Sequence, residues 1–295
     1  MDKASEPNPD RKNSQSDLAP GLYVAATPIG NARDITLRAL AALKACDAIA
    51  AEDTRVTAKL LAIHGVSKPL FAYNDHNAAR ERPRLIARLG HGERIVLVSD
   101  AGTPLISDPG YKLVREALRL GIHVEALPGA SALLTALVIS GLPTDRFLFA
   151  GFLPARTGER RNVLSELKSV PASLVFFESP QRLAESLADL AQILGGRDAA
   201  VCRELTKLHE ETRRGHLDAL AAAYADSPPP KGEVTIIVAP SPTREPDRAH
   251  AEALLEKALA FMPVRAAADL VADALNTSRR TLYERALALR SEHDE

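Results

Sequence analysis

The chain has 295 residues, 46% of them hydrophobic and 25% charged, with a formal net charge of −1 at pH 7. That composition fits a soluble chain of about two domains, and it provides no broad positive field with which to gather a polyanion. Cys46 and Cys202 are the only cysteines, which argues against a disulfide framework and for a reducing compartment. No apolar run reaches membrane-spanning length, and residues 1–19 lack the apolar core of a secretion signal. The expected location is cytoplasmic.

Residues 1–19, rich in Asp, Asn, Ser, Lys and Pro, are expected to form a disordered tail. From Gly21 onward, short apolar runs alternate with helical spacing. Residues 22–26 read as a strand and Thr27-Pro-Ile-Gly-Asn31 as a turn, with Asp34 as cap of a helix reaching about Ala45. Residues 47–51 form the second strand, and Glu52-Asp-Thr-Arg55 opens a helix that Gly65 closes. Strands over 69–73, 94–99 and 123–127 continue the series, with helices ending at Leu89, over 111–120 and over 132–139. Such alternation implies a parallel sheet with right-handed crossovers.

Gly141-Leu-Pro-Thr-Asp145 reads as a boundary, giving an N-terminal α/β domain over 20–140 and a second over 141–240. In the second, strands are expected over 146–150, 173–177, 199–203 and 233–238, and helices over 160–168, 181–194 and 217–224. Proline-rich linkers follow at 228–230 and from Pro240. Residues 241–295 form a linker and an appendix of three helices, the second started by Pro263 and the third capped by Asn276-Thr-Ser278. Arg279 and Arg280 at that cap suggest a helix-turn-helix able to touch RNA, against the plainer reading of a helical contact surface.

Several chemistries lack their residues. The Gly-x-Gly-x-x-Gly fingerprint and the Walker loop are missing, and His209-Glu210 is followed by Arg213 where a zinc pair needs its second His. Gly129-Ala-Ser-Ala-Leu133 ends in Leu, so it is no nucleophile elbow. No metal is expected.

What remains is a set of small-residue loops at strand ends. The longest follows the apolar run Ile95-Val-Leu-Val98 and carries Gly102, Pro104, Asp108, Pro109 and Gly110. Thr27-Pro-Ile-Gly-Asn31, Pro128-Gly-Ala-Ser131, Phe152-Leu-Pro154 and Glu178-Ser-Pro180 are the others. At the carboxyl ends of strands, such loops let backbone N–H and C=O groups approach a flat, uncharged ligand such as an adenosyl group. Asp100 is placed to accept from a ribose hydroxyl, with Ile106, Ala132 and Phe177 as apolar walls. The alternative is that each loop is simply an economical turn.

The motifs Thr-Pro-Ile-Gly-Asn-x-x-Asp-Ile-Thr, Asp-Thr-Arg-x-Thr-x-x-Leu-Leu, Ser-Asp-Ala-Gly-Thr-Pro-x-Ile-Ser-Asp-Pro-Gly and Pro-Gly-Ala-Ser-Ala stand in order, followed by Phe-x-Gly-Phe-Leu-Pro and Arg-Glu-Leu-Thr-Lys. Over about residues 21–238 the chain resembles the ribosomal RNA small subunit methyltransferase I subgroup of the tetrapyrrole methylase superfamily. The resemblance implies two α/β domains with S-adenosylmethionine in the cleft between them, and a homodimer. It further implies 2′-O-methylation of a cytidine in the decoding centre of small-subunit (16S) rRNA.

Carried over position by position, the resemblance puts cofactor contacts at Pro28, Ala101, Gly102, Thr103, Ile106, Ser131, Ala132 and Phe177. Thr103 stands where the wider superfamily often has Asp, which leaves Asp100 as the nearest loop carboxylate. A ribose hydroxyl is a poor nucleophile, so proton removal should assist transfer. Glu204 is the candidate base and Lys207 orients substrate, against the plainer reading that Glu204 pairs with Arg203. Asn31, Arg55, Arg156, Arg160 and Arg203 are the candidate substrate contacts, and Arg161, Lys168, Arg213 and Arg214 further candidates for phosphate. Two rival functions share the pattern: a tetrapyrrole-precursor C-methyltransferase, disfavoured by 4% aromatics and no Trp, and a non-catalytic sensor of RNA or nucleotide.

Overall fold

Short runs of Ala, Val, Ile and Leu need cover on both faces, and a parallel sheet between helices supplies it. In the computed structural model, which describes residues 18–106, 110–241, 248–275 and 277–293, five such runs form one sheet. They are β1 (Gly21–Ala25), β2 (Ala48–Ala51), β3 (Leu70–Ala72), β4 (Arg94–Val98) and β5 (Val124–Leu127), all parallel in the order β3-β2-β4-β1-β5. Tyr23, Ala25, Val96 and Val98 face a core with Ala39, Ala42 and Leu43 of α1 (Leu37–Ala45) and Leu61 of α2 (Thr54–Ile63). Leu22, Ile95 and Leu97 face the opposite core, with Leu85 of α3 (Ala78–Gly90) and Leu113 of α4 (Tyr111–Arg119).

The cap of α1 differs from expectation. Asp34 ends a short 3-10 turn whose cap is Asn31, and Thr36 caps α1 by accepting from the Ala39 N–H at 3.1 Å. The Pro28–Asp34 stretch turns twice before the helix starts, and a cap read from residue type cannot see that extra turn. Asp53 caps α2, accepting from the Arg55 N–H at 2.8 Å. Of the expected tail, residues 1–17 lie outside the described residues, as do Asp108, Pro109 and Asn276. Leu18 packs on the first core and the Ala19 carbonyl accepts from the Tyr23 hydroxyl at 2.8 Å.

A second sheet follows, built from β6 (Phe147–Phe152), β7 (Ser173–Glu178), β8 (Asp198–Arg203), β9 (Glu211–His216) and β10 (Val234–Val238) in the order β6-β7-β10-β8-β9. Here β6 and β7 run parallel and the remaining pairs antiparallel. β9 was not anticipated. Its sequence, Glu-Thr-Arg-Arg-Gly-His, has no apolar alternation, because it is an edge strand held by its ladder to β8.

Leu174, Phe176 and Ile236 turn one face of this sheet to α6 (Thr157–Leu167), α7 (Leu183–Leu194) and α8 (Leu217–Ala225). The opposite face, with Val175, Ala200, Cys202 and Ile237, packs on Ala136 and Leu137 of α5 (Ala132–Ser140). So α5 follows the first sheet in sequence but covers the second. That packing joins the halves into one compact unit among the described residues up to Ser241, and the described residues from 248 onward form another. In the latter, α9 (Arg248–Leu259), α10 (Val264–Leu275) and α11 (Arg279–His293) close around Leu255, Ala268, Val271, Leu282 and Ala286. Among the described residues, no helix is long and apolar enough to cross a membrane.

Candidate functional site

Parallel strands send all their carboxyl ends to one edge, so the loops after β1, β2, β4 and β5 gather there. They meet the loops after β6 and β7 and the start of β10 around a cavity of about 370 Å³. That volume suits a cofactor-sized molecule. Asp100, Ala101, Thr103 and Ile106 come from the β4 loop, Ser131 and Ala132 from the start of α5, and Phe177 from β7. Ile29, Glu52, Phe152, Glu178, Ser179, Pro180 and Gly232 to Thr235 complete the wall. The stretch 232–235 escaped the sequence reading, since a lone glycine before an apolar strand carries no signal of a site.

The β4 loop is held by backbone. Thr27 and Gly102 exchange both N–H···O bonds, at 2.8 and 2.9 Å, tying the loops after β1 and β4 together. Gly102 has φ +77°, and a side chain there would start 3.3 Å from Ile29. It is buried, and it shapes the loop whose neighbours line the cavity. The Thr103 hydroxyl donates to the Ala130 carbonyl at 3.2 Å, which gives the Thr a structural use in tying the loop to the one before α5. Ser131 caps α5. Pro28 is half-buried in the β1 loop and is not part of the wall.

The carboxylates divide by role. The Asp100 Oδ1 accepts from the Asp53 N–H at 2.9 Å, and desolvation, with the nearby Asp53 charge, raises its pKa. Asp53 is held at about 2 by its hydrogen bonds from Arg55. Glu178 is buried and saturated: it accepts from the Ser179 N–H at 2.7 Å and the Ser186 hydroxyl at 2.6 Å, and pairs with Arg182 at 2.6 Å. It stiffens the wall.

Glu204 and Lys207 lie behind Gly232 and Glu233. The Lys207 Nζ sits 2.7 Å from the Glu204 carboxylate and 3.0 Å from Glu233. Glu204 is lowered in pKa chiefly by the hydrogen bond from Lys207. Lys207 is desolvated, which lowers its pKa, but the bonds to Glu204 and Glu233 outweigh this and raise it. The pair is therefore ionised at neutral pH. The plainer alternative for Glu204 also needs correcting, because Arg203 pairs with Glu211 at 3.1 Å and Glu204 pairs with Lys207. Glu204 and Thr206 carry φ of +52° and +65°, a strain that turns keep only where surroundings enforce it. Two glycines leave room for the side chains of this turn. A Cβ on Gly30 would lie 2.4 Å from Lys207 Cγ, and one on Gly232 would lie 2.1 Å from Glu204 Oε1.

The candidate substrate residues scatter. Arg160 is 1% exposed and bonds the Asp189 carboxylate at 2.6 Å and the Ala155 carbonyl at 3.3 Å, so it cannot present itself to RNA. The sequence offered it as a substrate contact, but the fold turns its side chain onto Asp189 and Glu185 of α7. Asn31 caps its own turn, and its N–H donates to the Thr206 hydroxyl at 3.0 Å. Arg203 and Arg214 are held within the fold, the latter by the Ser140 carbonyl at 3.0 Å. Arg55 and Arg156 remain exposed, each beside one carboxylate. On α11, Arg279 pairs with Asp273 and Arg280 with Glu284. Among the described residues, no group of three or more His, Cys, Asp or Glu is arranged to hold a metal ion.

The chain matches the family model described as Tetrapyrrole (Corrin/Porphyrin) Methylases over residues 21–221, and that of the RsmI C-terminal HTH domain over 245–290. It is similar to proteins named ribosomal RNA small subunit methyltransferase I. The one from Mesorhizobium japonicum is 52% identical over 92% of this chain and 93% of its own, and that from Erythrobacter litoralis 50% identical over 95% and 99%. Among solved structures, a diphthine synthase superposes with a TM-score of 0.59 at 18% identity, over 74% of this chain and 89% of that one. The uroporphyrin-III-C-methyltransferase of Thermus thermophilus gives 0.53 at 20% identity, over 73% and 93%. Those two share the fold. The family match, and relatives about half identical along nearly the whole chain, make this protein a member of the tetrapyrrole methylase family, in its ribosomal RNA small subunit methyltransferase I subgroup.

Proposed function

We propose that this chain transfers a methyl group from S-adenosylmethionine to the 2′-hydroxyl of a cytidine in the decoding centre of small-subunit rRNA. The observation that carries the reading is the cavity itself: the loops expected to hold an adenosyl group converge on it, from both halves of a chain whose relatives bear that rRNA name. The residues fit the group. Ala101, Thr103, Ile106, Ser131, Ala132 and Phe177 offer small and apolar surface around a loop whose backbone Gly102 lets turn, and Asp100 keeps a carboxylate oxygen for a ribose hydroxyl. When bound, S-adenosylmethionine supplies an electrophilic sulfonium methyl.

The protein's task is then mainly alignment of the ribose oxygen with that methyl. Glu204 is the candidate acceptor of the hydroxyl proton. It is ionised, and the hydrogen bond from Lys207 that lowers its pKa makes it a weaker base than a free carboxylate, so its part is chiefly to orient the hydroxyl. Lys207 holds Glu204 in place from behind the Gly232–Glu233 stretch of the wall. With a net charge of −1, recognition rests on the shape of folded RNA and on discrete phosphate contacts, for which Arg55 and Arg156 are exposed. The homodimer belongs to the same proposal. Leu134 and Val138, one turn apart on α5 and 49% and 77% exposed, offer it an apolar face.

Purified protein with labelled S-adenosylmethionine should methylate under-methylated small subunits in preference to naked rRNA, and should leave a porphyrin precursor untouched. Nuclease digestion should return 2′-O-methylcytidine. Methyl transfer to the porphyrin precursor alone, or cofactor binding without transfer to any substrate, overturns the reading.

A further inference from the structure

β6 contains a bulge. Its register on β7 runs Phe149 opposite Val175 and then Gly151 opposite Phe176, so Ala150 is the extra residue. Side chains alternate along a regular strand. Without the bulge, Phe152 would share a face with Leu148 and Ala150, which pack on the core beneath α6 and α7. The inserted residue moves it to the face of Phe149, Val175 and Phe177, and bulges beside sites are known to re-aim side chains in this way. Gly151, at φ +70°, makes the turn possible.

The re-aimed ring is fixed and open. Phe152 and Phe149 both meet Phe177 edge to face, with centroids 5.6 and 4.8 Å away. Phe176, next along β7, is fully buried, whereas Phe152 stays 56% exposed at the cavity wall. The loop beyond it is clamped from two sides. Arg182 donates to the Leu153 carbonyl at 3.1 Å while pairing with Glu178, and Arg160 donates to the Ala155 carbonyl while pairing with Asp189. A large apolar ring held in water by this much structure calls for a flat partner, and its openness suits one arriving from outside rather than one sunk beside Phe177.

We infer that Phe152 is a stacking surface for an unpaired base of the RNA substrate. This rests on the rRNA reading above. A nucleotide whose 2′-hydroxyl must reach a recessed methyl donor has to leave its stack, and an aromatic face compensates for the stacking it loses.

The test uses the full chain with Phe152→Ala, Phe152→Leu and Phe152→Trp. It measures the KM for small subunits in transfer, the Kd for the subunits by filter binding, and the Kd for S-adenosylmethionine by calorimetry. Melting curves check folding. Stacking predicts that the Ala and Leu variants both raise the KM and Kd for subunits about tenfold, and that Trp stays near wild type. Affinity for S-adenosylmethionine should hold in all three. Wild-type behaviour of Phe152→Leu makes the ring a plain apolar wall and overturns the inference. So does a fall in cofactor affinity in Phe152→Ala that matches the rise in KM, since the ring then serves the adenine. If wild type binds subunits but transfers nothing, the methylation reading fails, and the binding constants alone still decide the role of Phe152.

Discussion

The two halves of the unit up to Ser241 hold their loops by different means. In the first, the β1, β4 and α5 loops are fixed by backbone pairing and small residues, with Thr27 bonded to Gly102 and Thr103 to Ala130. Its ion pair between Asp47 and Arg94 lies at the opposite ends of the strands, with both side chains about a third exposed. In the second, the loops after β6 and β7 hang on buried charge, with Asp189 4% exposed and Glu178 fully buried. Burial decides what such contacts are worth. A backbone bridge loses little when a neighbouring side chain changes, whereas a buried ion pair is unforgiving when one member goes.

Breaking the buried pair should give the largest effect. Asp189→Ala takes the close carboxylate from the buried Arg160 guanidinium and leaves it Glu185 at 3.6 Å, so it is expected to destabilise the fold by about 3 kcal/mol in denaturant unfolding. A double variant, Arg160→Met with Asp189→Leu, should recover much of that loss. If the single variant unfolds like wild type, the second half does not depend on its buried charge.

The junction between the halves comes next. Gly30→Ala would push a methyl 2.4 Å from Lys207 Cγ and 2.9 Å from the Leu205 carbonyl. Such crowding is expected to cost about 1–3 kcal/mol. Because the displaced turn carries Glu204 and Lys207, methyl transfer should fall more than cofactor affinity does. Equal losses in both would place the turn's influence on the cofactor loops instead.

The smallest effect belongs to the exposed pair. Hydrogen bonds from Arg94 hold the Asp47 carboxyl at about 2, below the ordinary value near 4. A depressed folded-state pKa stabilises above the unfolded value, and that contribution disappears as pH falls from about 4 through about 2. Asp47→Asn should therefore cost about 1 kcal/mol at neutral pH, given solvent screening, and its difference from wild type should shrink below about pH 4 and vanish only below about pH 2. A difference that persists in acid would assign the effect to packing rather than charge.

The sequence by itself determined the elements that rest on local chemistry. Apolar runs marked the first sheet's strands, Glu52-Asp-Thr-Arg55 announced α2, and the glycine and proline loops marked the cavity rim, because period and turns are written in adjacent residues. Tertiary structure alone decided the rest. The strand β9 is polar and exists only through its ladder to β8. Helix α5 is apolar all round, so nothing local says that it covers the second sheet. Arg160 reads as a surface cation until α7 closes over it, and Glu204 shows its partner only when Lys207 folds back across the turn. Phe152 lies in a motif the sequence displays, but its aim depends on one extra residue in a pairing register, which only the neighbouring strand can define.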